Sequence, residues 1–191
     1  PVLERAIESG RETPEVLAML TSAYAHNGQF GKAQAAADRA VQMFPDDPSA
    51  YITLANGYRL QASYEEAADA LEQAAHLAPH QPIIWAELGF VQRLVGDSRA
   101  AFKAFQKAAE APMPAMYSVR VYHHLARSYQ QAEDAERASS ATAKMMSARH
   151  GLDAWETMQE AMQGTAYGQA LRYEIQNIAQ AIAQADAASV G

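Results

Sequence analysis

The sequence predicts an all-α solenoid, a fold in which similar helix pairs stack side by side. The first observation is repetition, because one set of residues recurs at spacings of 34, 34 and then 37 residues. The clearest copy comprises Tyr51, Leu54, Ala55, Tyr58, Ala67, Leu71, Ala74 and Pro79. The second is composition: 43 of the 191 residues are alanine, the best helix former, and few segments alternate as strands do. One helix pair cannot bury its apolar face alone, so neighbouring pairs must complete the core.

The first two helix pairs have clear sequence boundaries. Pro14 and Pro48 each open a first helix, at a position where the missing N–H costs nothing. The first pair turns at Asn27-Gly28, and the second turns at 61–63. Within each helix the apolar residues recur with helical spacing, which predicts one buried face per helix.

The later pairs depart gradually from this pattern. The third runs from Pro82 to Pro112 and turns at Gly96-Asp97, and the fourth, after three extra residues, is expected to end at Gly151. The apolar residues of a degenerate fifth pair are Trp155, Met158, Met162, Leu171, Ile175, Ile178 and Ile182. Terminal repeats are atypical because one side faces water, so this pair is predicted to cap the array.

The predicted organisation has three parts. Residues 1–13 are expected to end a preceding second helix, four repeats follow at 14–47, 48–81, 82–118 and 119–151, and 152–191 form the capping pair and a tail. There is no initiator methionine, and Leu3 and Ala6 fall on the phase of a preceding repeat. These features predict a fragment of a longer array; a processed mature start is the alternative.

Charge and composition disfavour several classes of partner. The net charge of −7 and the pI near 5.3 would repel a phosphate backbone, so no nucleic-acid partner is expected. No apolar run approaches the roughly 18 residues of a membrane-spanning helix, so no direct membrane insertion is expected. The alanine- and glutamine-rich, lysine-poor and cysteine-free composition favours a bacterial protein, and the periplasm over the cytoplasm.

No cofactor, metal or catalytic site is predicted. The absence of cysteine excludes thiolate ligands and disulfides. His123 and His124 are adjacent, so on a helix they point about 100° apart and cannot both face one ion. The patterns of hydrolase nucleophiles, phosphate loops, dinucleotide sites and zinc proteases are absent from the sequence. A binding role is therefore favoured over an enzymatic one.

The copies resemble the tetratricopeptide repeat. The third copy carries nearly the whole pattern of this family, with Trp85, Leu88, Gly89, Ala101, Phe105 and Ala108. The second copy differs by Tyr for Trp, Ala for Gly and Leu for Phe, and the resemblance spans about Leu3 to Ile182. It implies a right-handed superhelix of antiparallel helix pairs, in which the first helices line a concave groove.

This resemblance implies a peptide-binding groove with an apolar middle and arginines beside it. The expected lining is Ile52, Asn56, Arg59, Leu60, Ile83, Phe90, Arg93, Leu94, Arg120, His123 and Arg127. Apolar side chains would hold an apolar anchor, and arginines would offer paired donors to carboxylates. The alternative is that these arginines pair with acidic neighbours on adjacent helices.

The leading hypothesis is a protein–protein interaction scaffold, a segment of a larger protein, that binds a peptide in the groove. Its partner would be a protein or peptide carrying both apolar and acidic residues, and self-association is a further option. The alternative is a structural spacer or assembly segment, such as the periplasmic repeat array of a bacterial exopolysaccharide export protein.

Overall fold

The computed structural model describes residues 12–190, which form ten α-helices joined by short turns. Their bounds are α1 Pro14–His26, α2 Phe30–Met43, α3 Pro48–Leu60, α4 Tyr64–Leu77, α5 Pro82–Val95, α6 Ser98–Ala108, α7 Ala115–Gln131, α8 Ala135–Ser147, α9 Leu152–Ala161 and α10 Ala166–Val190. No strand occurs in this part of the chain. The prediction of an all-α fold of consecutive helix pairs is confirmed, and the partial helix expected before α1 lies outside the described residues.

The chain divides into two compact units. Unit 1 ends at Gly96 and contains α1 to α5, and unit 2 begins at Asp97 and contains α6 to α10. In unit 1, helices that follow one another in sequence pack against one another, and in unit 2 the consecutive pairs that pack are α6 with α7, α7 with α8 and α9 with α10. Within unit 2, α10 also packs against α7 and α8, so the last helix is part of the core of this unit.

The core of unit 1 is built largely from alanine, which allows close helix contact. Leu17 packs with Ala40 and Ala50, and a second cluster joins Ala74 to Ile84. These alanines are fully buried or nearly so. Because a close-packed core has few voids, such positions have little room for a larger side chain.

The turn inside each of the first four helix pairs contains one residue with left-handed backbone geometry. The φ angles are +69° at Gly28, +59° at Ala62, +96° at Gly96 and +57° at Glu133. These positions lie 34, 34 and 37 residues apart, which is the spacing of the sequence repeat. Glycine adopts this geometry without strain, whereas Ala62 and Glu133 adopt it at a cost in free energy.

Unit 2 differs in two respects from its prediction. Gly151 does not end α8, which stops at Ser147; instead Gly151 belongs to a 3₁₀ turn, Arg149–Gly151. A Cβ atom on Gly151 would lie 2.3 Å from the backbone at Ala115, so close approach to the start of α7 explains the glycine. Met158, expected on the buried face of α9, is 36% exposed, because the burial of this short helix centres on Trp155.

Candidate functional site: a polar cleft in unit 2

Unit 2 contains an open cleft of about 480 Å³ between α7, α8 and α10, here called the α7–α10 cleft. Its lining consists of His123, Ala126, Arg127, Gln130, Thr142, Met145, Tyr173, Asn177, Gln180, Ala181, Gln184 and Ala185. The volume falls within the range of about 300–1,000 Å³ that is usual for ligand sites.

Helical periodicity brings these residues together. On α7 the lining residues lie at i, i+3, i+4 and i+7 from His123, which places them on one face. On α10 the positions 173, 177, 180, 181, 184 and 185 follow the same period. The opposite stripe of α10, with Leu171, Ile175 and Ile178, is buried and fixes the helix against the unit. The polar stripe is thereby held facing α7.

The α7–α10 cleft presents one positive charge and several amide groups. Arg127 is exposed and is the one permanently charged side chain among the described lining residues, none of which is a carboxylate. In the described part of the chain Arg127 has no ion-pair partner, and the amides of Asn177, Gln180 and Gln184 form no hydrogen bond. Met145, which is 2% exposed, contributes an apolar floor. The cleft can therefore pair a negative group and hydrogen-bond a polar backbone.

Two of the predicted groove residues in unit 2 are interior. Arg120 is 1% exposed, and His123 is buried although its edge reaches the α7–α10 cleft. The expectation that Arg120 faces a ligand is wrong, because this guanidinium pairs with Glu174 of α10. Arg120 Nε lies 2.6 Å from Glu174 Oε1, and Nη2 lies 2.8 Å from Oε2. Arg120 therefore fits the alternative hypothesis, in which the arginines pair with acidic neighbours on adjacent helices.

Aromatic rings and a histidine complete the surroundings of this ion pair. His124 Nε2 lies 3.1 Å from Glu174 Oε1, and its ring stacks on Phe105 with centroids 4.9 Å apart. The Arg120 guanidinium lies 4.0 Å from the ring centroid of Trp155. Burial disfavours ionisation of Glu174, but the charges and hydrogen bonds of Arg120 and His124 outweigh it, so the pKa of Glu174 lies well below its usual range.

In unit 1 the structure brings two predicted groove residues together. Arg59 Nη2 donates to Asn56 Oδ1 at 2.7 Å, and Arg59 Nη1 donates to Glu87 Oε2 at 2.9 Å. The side chains of Arg59 and Glu87 are mostly buried. Arg59, like Arg120, thus pairs with an acidic side chain of an adjacent helix.

The remaining predicted residues of unit 1 differ in exposure. Phe90 is buried, so it is not available as a surface anchor. The half-buried apolar residues are Ile52, Leu60, Ile83 and Leu94. Arg93 is exposed at the end of α5 and has no ion-pair partner among the described residues. Phe90 and Arg59 therefore offer a ligand little surface, whereas Arg93 is accessible.

The sequence prediction missed the contribution of α10 to the site. Tyr173, which is 70% exposed, and Asn177 line the α7–α10 cleft, whereas the prediction used only first helices. A signal existed at Glu174, a carboxylate placed between Leu171 and Ile178 on an otherwise apolar stripe. A charge at such a position requires a buried partner, which would have tied α10 to a cationic helix.

The described residues hold no group of three or more histidine, cysteine or acidic side chains placed to bind a metal ion. Among helices α1 to α10, none combines the length and apolar character needed to cross a membrane.

Comparison with known proteins supports the architecture. Residues 14–57 match the family model described as tetratricopeptide repeat. TTC0263, a tetratricopeptide-repeat protein of Thermus thermophilus, is 18% identical over 93% of this chain and 87% of its own, with a TM-score of 0.60. A crystal structure of MamA is 19% identical over 90% of this chain and 96% of its own, with a TM-score of 0.58. MamA of Desulfovibrio magneticus RS-1 is 19% identical over 78% and 82%, with a TM-score of 0.59.

At these identities the likeness shows the fold alone. No curated protein sequence matches the chain significantly.

Proposed function

We propose that the chain is a protein–protein interaction scaffold that binds a peptide segment with apolar and acidic side chains. Two similarities support a scaffold: residues 14–57 match the tetratricopeptide-repeat family model, and the chain shares the fold of a solved tetratricopeptide-repeat protein. The observation that carries this proposal is the α7–α10 cleft, where Arg127 is a cation without a carboxylate partner in the described chain. An acidic side chain of a partner would supply that missing charge.

The chemistry of the α7–α10 cleft suits an extended segment. Amides at Asn177, Gln180 and Gln184 offer both donors and acceptors to a peptide backbone. Met145 and Ala126 beneath them offer a small apolar floor, and methionine adapts to different side-chain shapes. Arg127 would pair with a carboxylate through two parallel hydrogen bonds, a geometry that lysine cannot match.

Electrostatics favour encounter at this site. The chain as a whole is acidic and repels anionic segments over most of its surface. Arg127 has no acidic neighbour in the cleft, so an anionic segment is attracted there. Arg93 of unit 1 is another exposed arginine of the predicted groove, and we propose that it contacts an acidic side chain independently of the cleft. Arg59 and Arg120 are assigned no ligand contact, since each already pairs with a carboxylate of its own unit.

The test is an array of immobilised peptides in which apolar residues alternate with aspartate or glutamate. Each peptide has a counterpart that carries asparagine or glutamine instead. We expect the chain to bind a subset of acidic peptides and not their amide counterparts. Arg127→Glu should weaken that binding at least tenfold, about 1.4 kcal/mol.

Arg172→Glu is the matched control, because Arg172 is exposed on α10, lies outside the cleft and changes net charge equally. Its effect should be no more than about twofold. If no acidic peptide binds, or if both variants weaken binding equally, the cleft is not a peptide site and the structural-spacer hypothesis gains ground.

A further inference from the structure

A second crevice, of about 420 Å³, lies in unit 1 between α3 and α4. It is lined by Tyr51, Leu54, Tyr58, Glu66, Asp69, Ala70, Glu72 and Gln73, and is here called the tyrosine crevice. One wall is aromatic and apolar and comes from α3. The other wall comes from α4 and is mostly acidic. Neither the predicted groove nor the α7–α10 cleft includes any of these residues.

The aromatic wall is open, which the repeat pattern did not predict. Tyr51, Leu54 and Tyr58 occupy positions expected on a buried helix face, yet each is only half-buried. Ala70 opposite them is small, so the space between the two helices stays unfilled. Within the described residues the hydroxyl groups of Tyr51 and Tyr58 form no hydrogen bond. The crevice therefore offers ring surface and two phenol groups to an incoming side chain.

The acidic wall has no cation of its own. Glu66, Asp69 and Glu72 form no ion pair with any described residue, and all three are exposed. The described part of unit 1 has four basic and ten acidic side chains, a net charge of −6. Exposed carboxylates on a helix are usually hydrated and do not by themselves indicate a binding site. Here they form one wall of a crevice whose other wall is aromatic, which is the combination that retains a cationic side chain.

We propose that the tyrosine crevice binds a lysine or arginine side chain from a basic segment of a partner protein. The methylene stem would lie along Tyr51, Leu54 and Tyr58, as long cationic side chains do when they cover apolar surface. The charged end would reach Asp69 and Glu66, with the tyrosine ring faces adding cation–π attraction. The site is independent of the α7–α10 cleft, so the chain would present an acidic crevice on one unit and a cationic cleft on the other.

The probe is a short blocked peptide that carries one lysine and one arginine, with a counterpart that carries glutamine at both positions. Binding to the whole chain is followed by NMR through the tyrosine ring resonances. We expect the basic peptide, and not the glutamine peptide, to shift the signals of Tyr51 and Tyr58. The shifts should weaken as salt is raised, because exposed charges are screened.

Two double variants separate the crevice from general acidity. Glu66→Gln with Asp69→Asn removes two charges from the crevice wall, and Glu65→Gln with Asp46→Asn removes two exposed charges outside it. All four positions are exposed, so the fold should be retained, which circular dichroism verifies. The crevice variant should bind the basic peptide at least tenfold more weakly, and the control variant less than about twofold more weakly.

Equal weakening by both variants would overturn the proposal, because attraction would then be a property of the whole acidic surface. Equal shifts from the glutamine peptide would also overturn it. A third outcome would also overturn the proposal. If the basic peptide does not bind the unchanged chain, and light scattering gives the crevice variant a different mass from the unchanged chain, the crevice contacts a second copy.

Discussion

Arg120 and Glu174 lie 54 residues apart and form a two-point ion pair in the interior of unit 2, which ties α10 to α7. Arg120 is nearly inaccessible, and its guanidinium contacts both this carboxylate and the aromatic ring of Trp155. The pair also sets the position of the α7–α10 cleft, because Tyr173 and Asn177 flank Glu174 on the same helix. Stability of unit 2 and geometry of the candidate site are thus coupled.

Glu174→Gln should strongly destabilise unit 2, because it removes the carboxylate charge that pairs with the buried Arg120 guanidinium. The expected loss is about 3–5 kcal/mol. Denaturant unfolding followed by Trp155 fluorescence, in a Trp85→Phe background, reports this unit. The control is Asp186→Asn, which breaks an exposed contact of 3.9 Å with Arg149 and should have little effect. Similar midpoints for the two variants would show that the buried pair does not stabilise α10.

The same ion pair predicts acid sensitivity. The pKa of the Glu174 carboxyl lies below its unfolded value, which is near 4.5, so the unfolded chain takes up this proton first as the pH falls. Its stabilising contribution is therefore complete above that value and is lost progressively below it. Unfolding free energies measured between pH 7 and pH 3 should fall towards low pH, and Glu174→Gln should flatten part of that slope. An unchanged slope in the variant would contradict this assignment.

A substitution in one of the turns is expected to stabilise the chain, in contrast to Glu174→Gln. Ala62 has a φ of +59° at a position where two other repeats have glycine. Ala62→Gly should stabilise the chain by about 0.5–1 kcal/mol, because glycine relieves the left-handed strain. Ala35→Gly, at an exposed position inside α2, should instead destabilise it by about 1 kcal/mol. Thermal unfolding distinguishes the two, and a loss of stability in both variants would mean that Ala62 carries no strain.

Packing between α3 and α4 depends on small side chains. Ala67 is fully buried in α4, so Ala67→Leu should overpack the helix contact and cost about 1–3 kcal/mol. Ala35→Leu places the same side chain on an exposed helix surface and should change stability by about 0.5 kcal/mol or less. The measurement is the denaturation midpoint of each variant. Equal effects would place Ala67 outside the core.

The sequence predicted the fold well, because the repeat spacing and helical periodicity depend on local residues. Turns at Gly28 and Gly96 and helix starts at Pro14 and Pro48 followed directly from backbone preferences. The site was harder, because contacts between distant helices decide which polar residues are exposed. Arg120 and Arg127 have equal charge and lie on the same helix. Arg120 is buried and pairs with Glu174, whereas Arg127 lines the α7–α10 cleft.

The contribution of α10 to the cleft was not predicted because the last helix pair departs from the repeat pattern. Family patterns describe pairs of ordinary length, whereas α10 has 25 residues and continues well beyond its last buried isoleucine, Ile178. That extension supplies Gln180 and Gln184 to the α7–α10 cleft. A general repeat pattern cannot predict a surface that depends on such an extension.

NMR of methyl-labelled methionines tests most directly whether the α7–α10 cleft is the peptide-binding surface. Met145 forms the cleft floor, whereas Met19 and Met43 are exposed in unit 1 and serve as internal controls. On titration with the acidic peptide that binds best in the array, we expect a saturable shift of the Met145 methyl signal and none at Met19 or Met43. Binding detected by calorimetry with an unmoved Met145 signal would contradict the account.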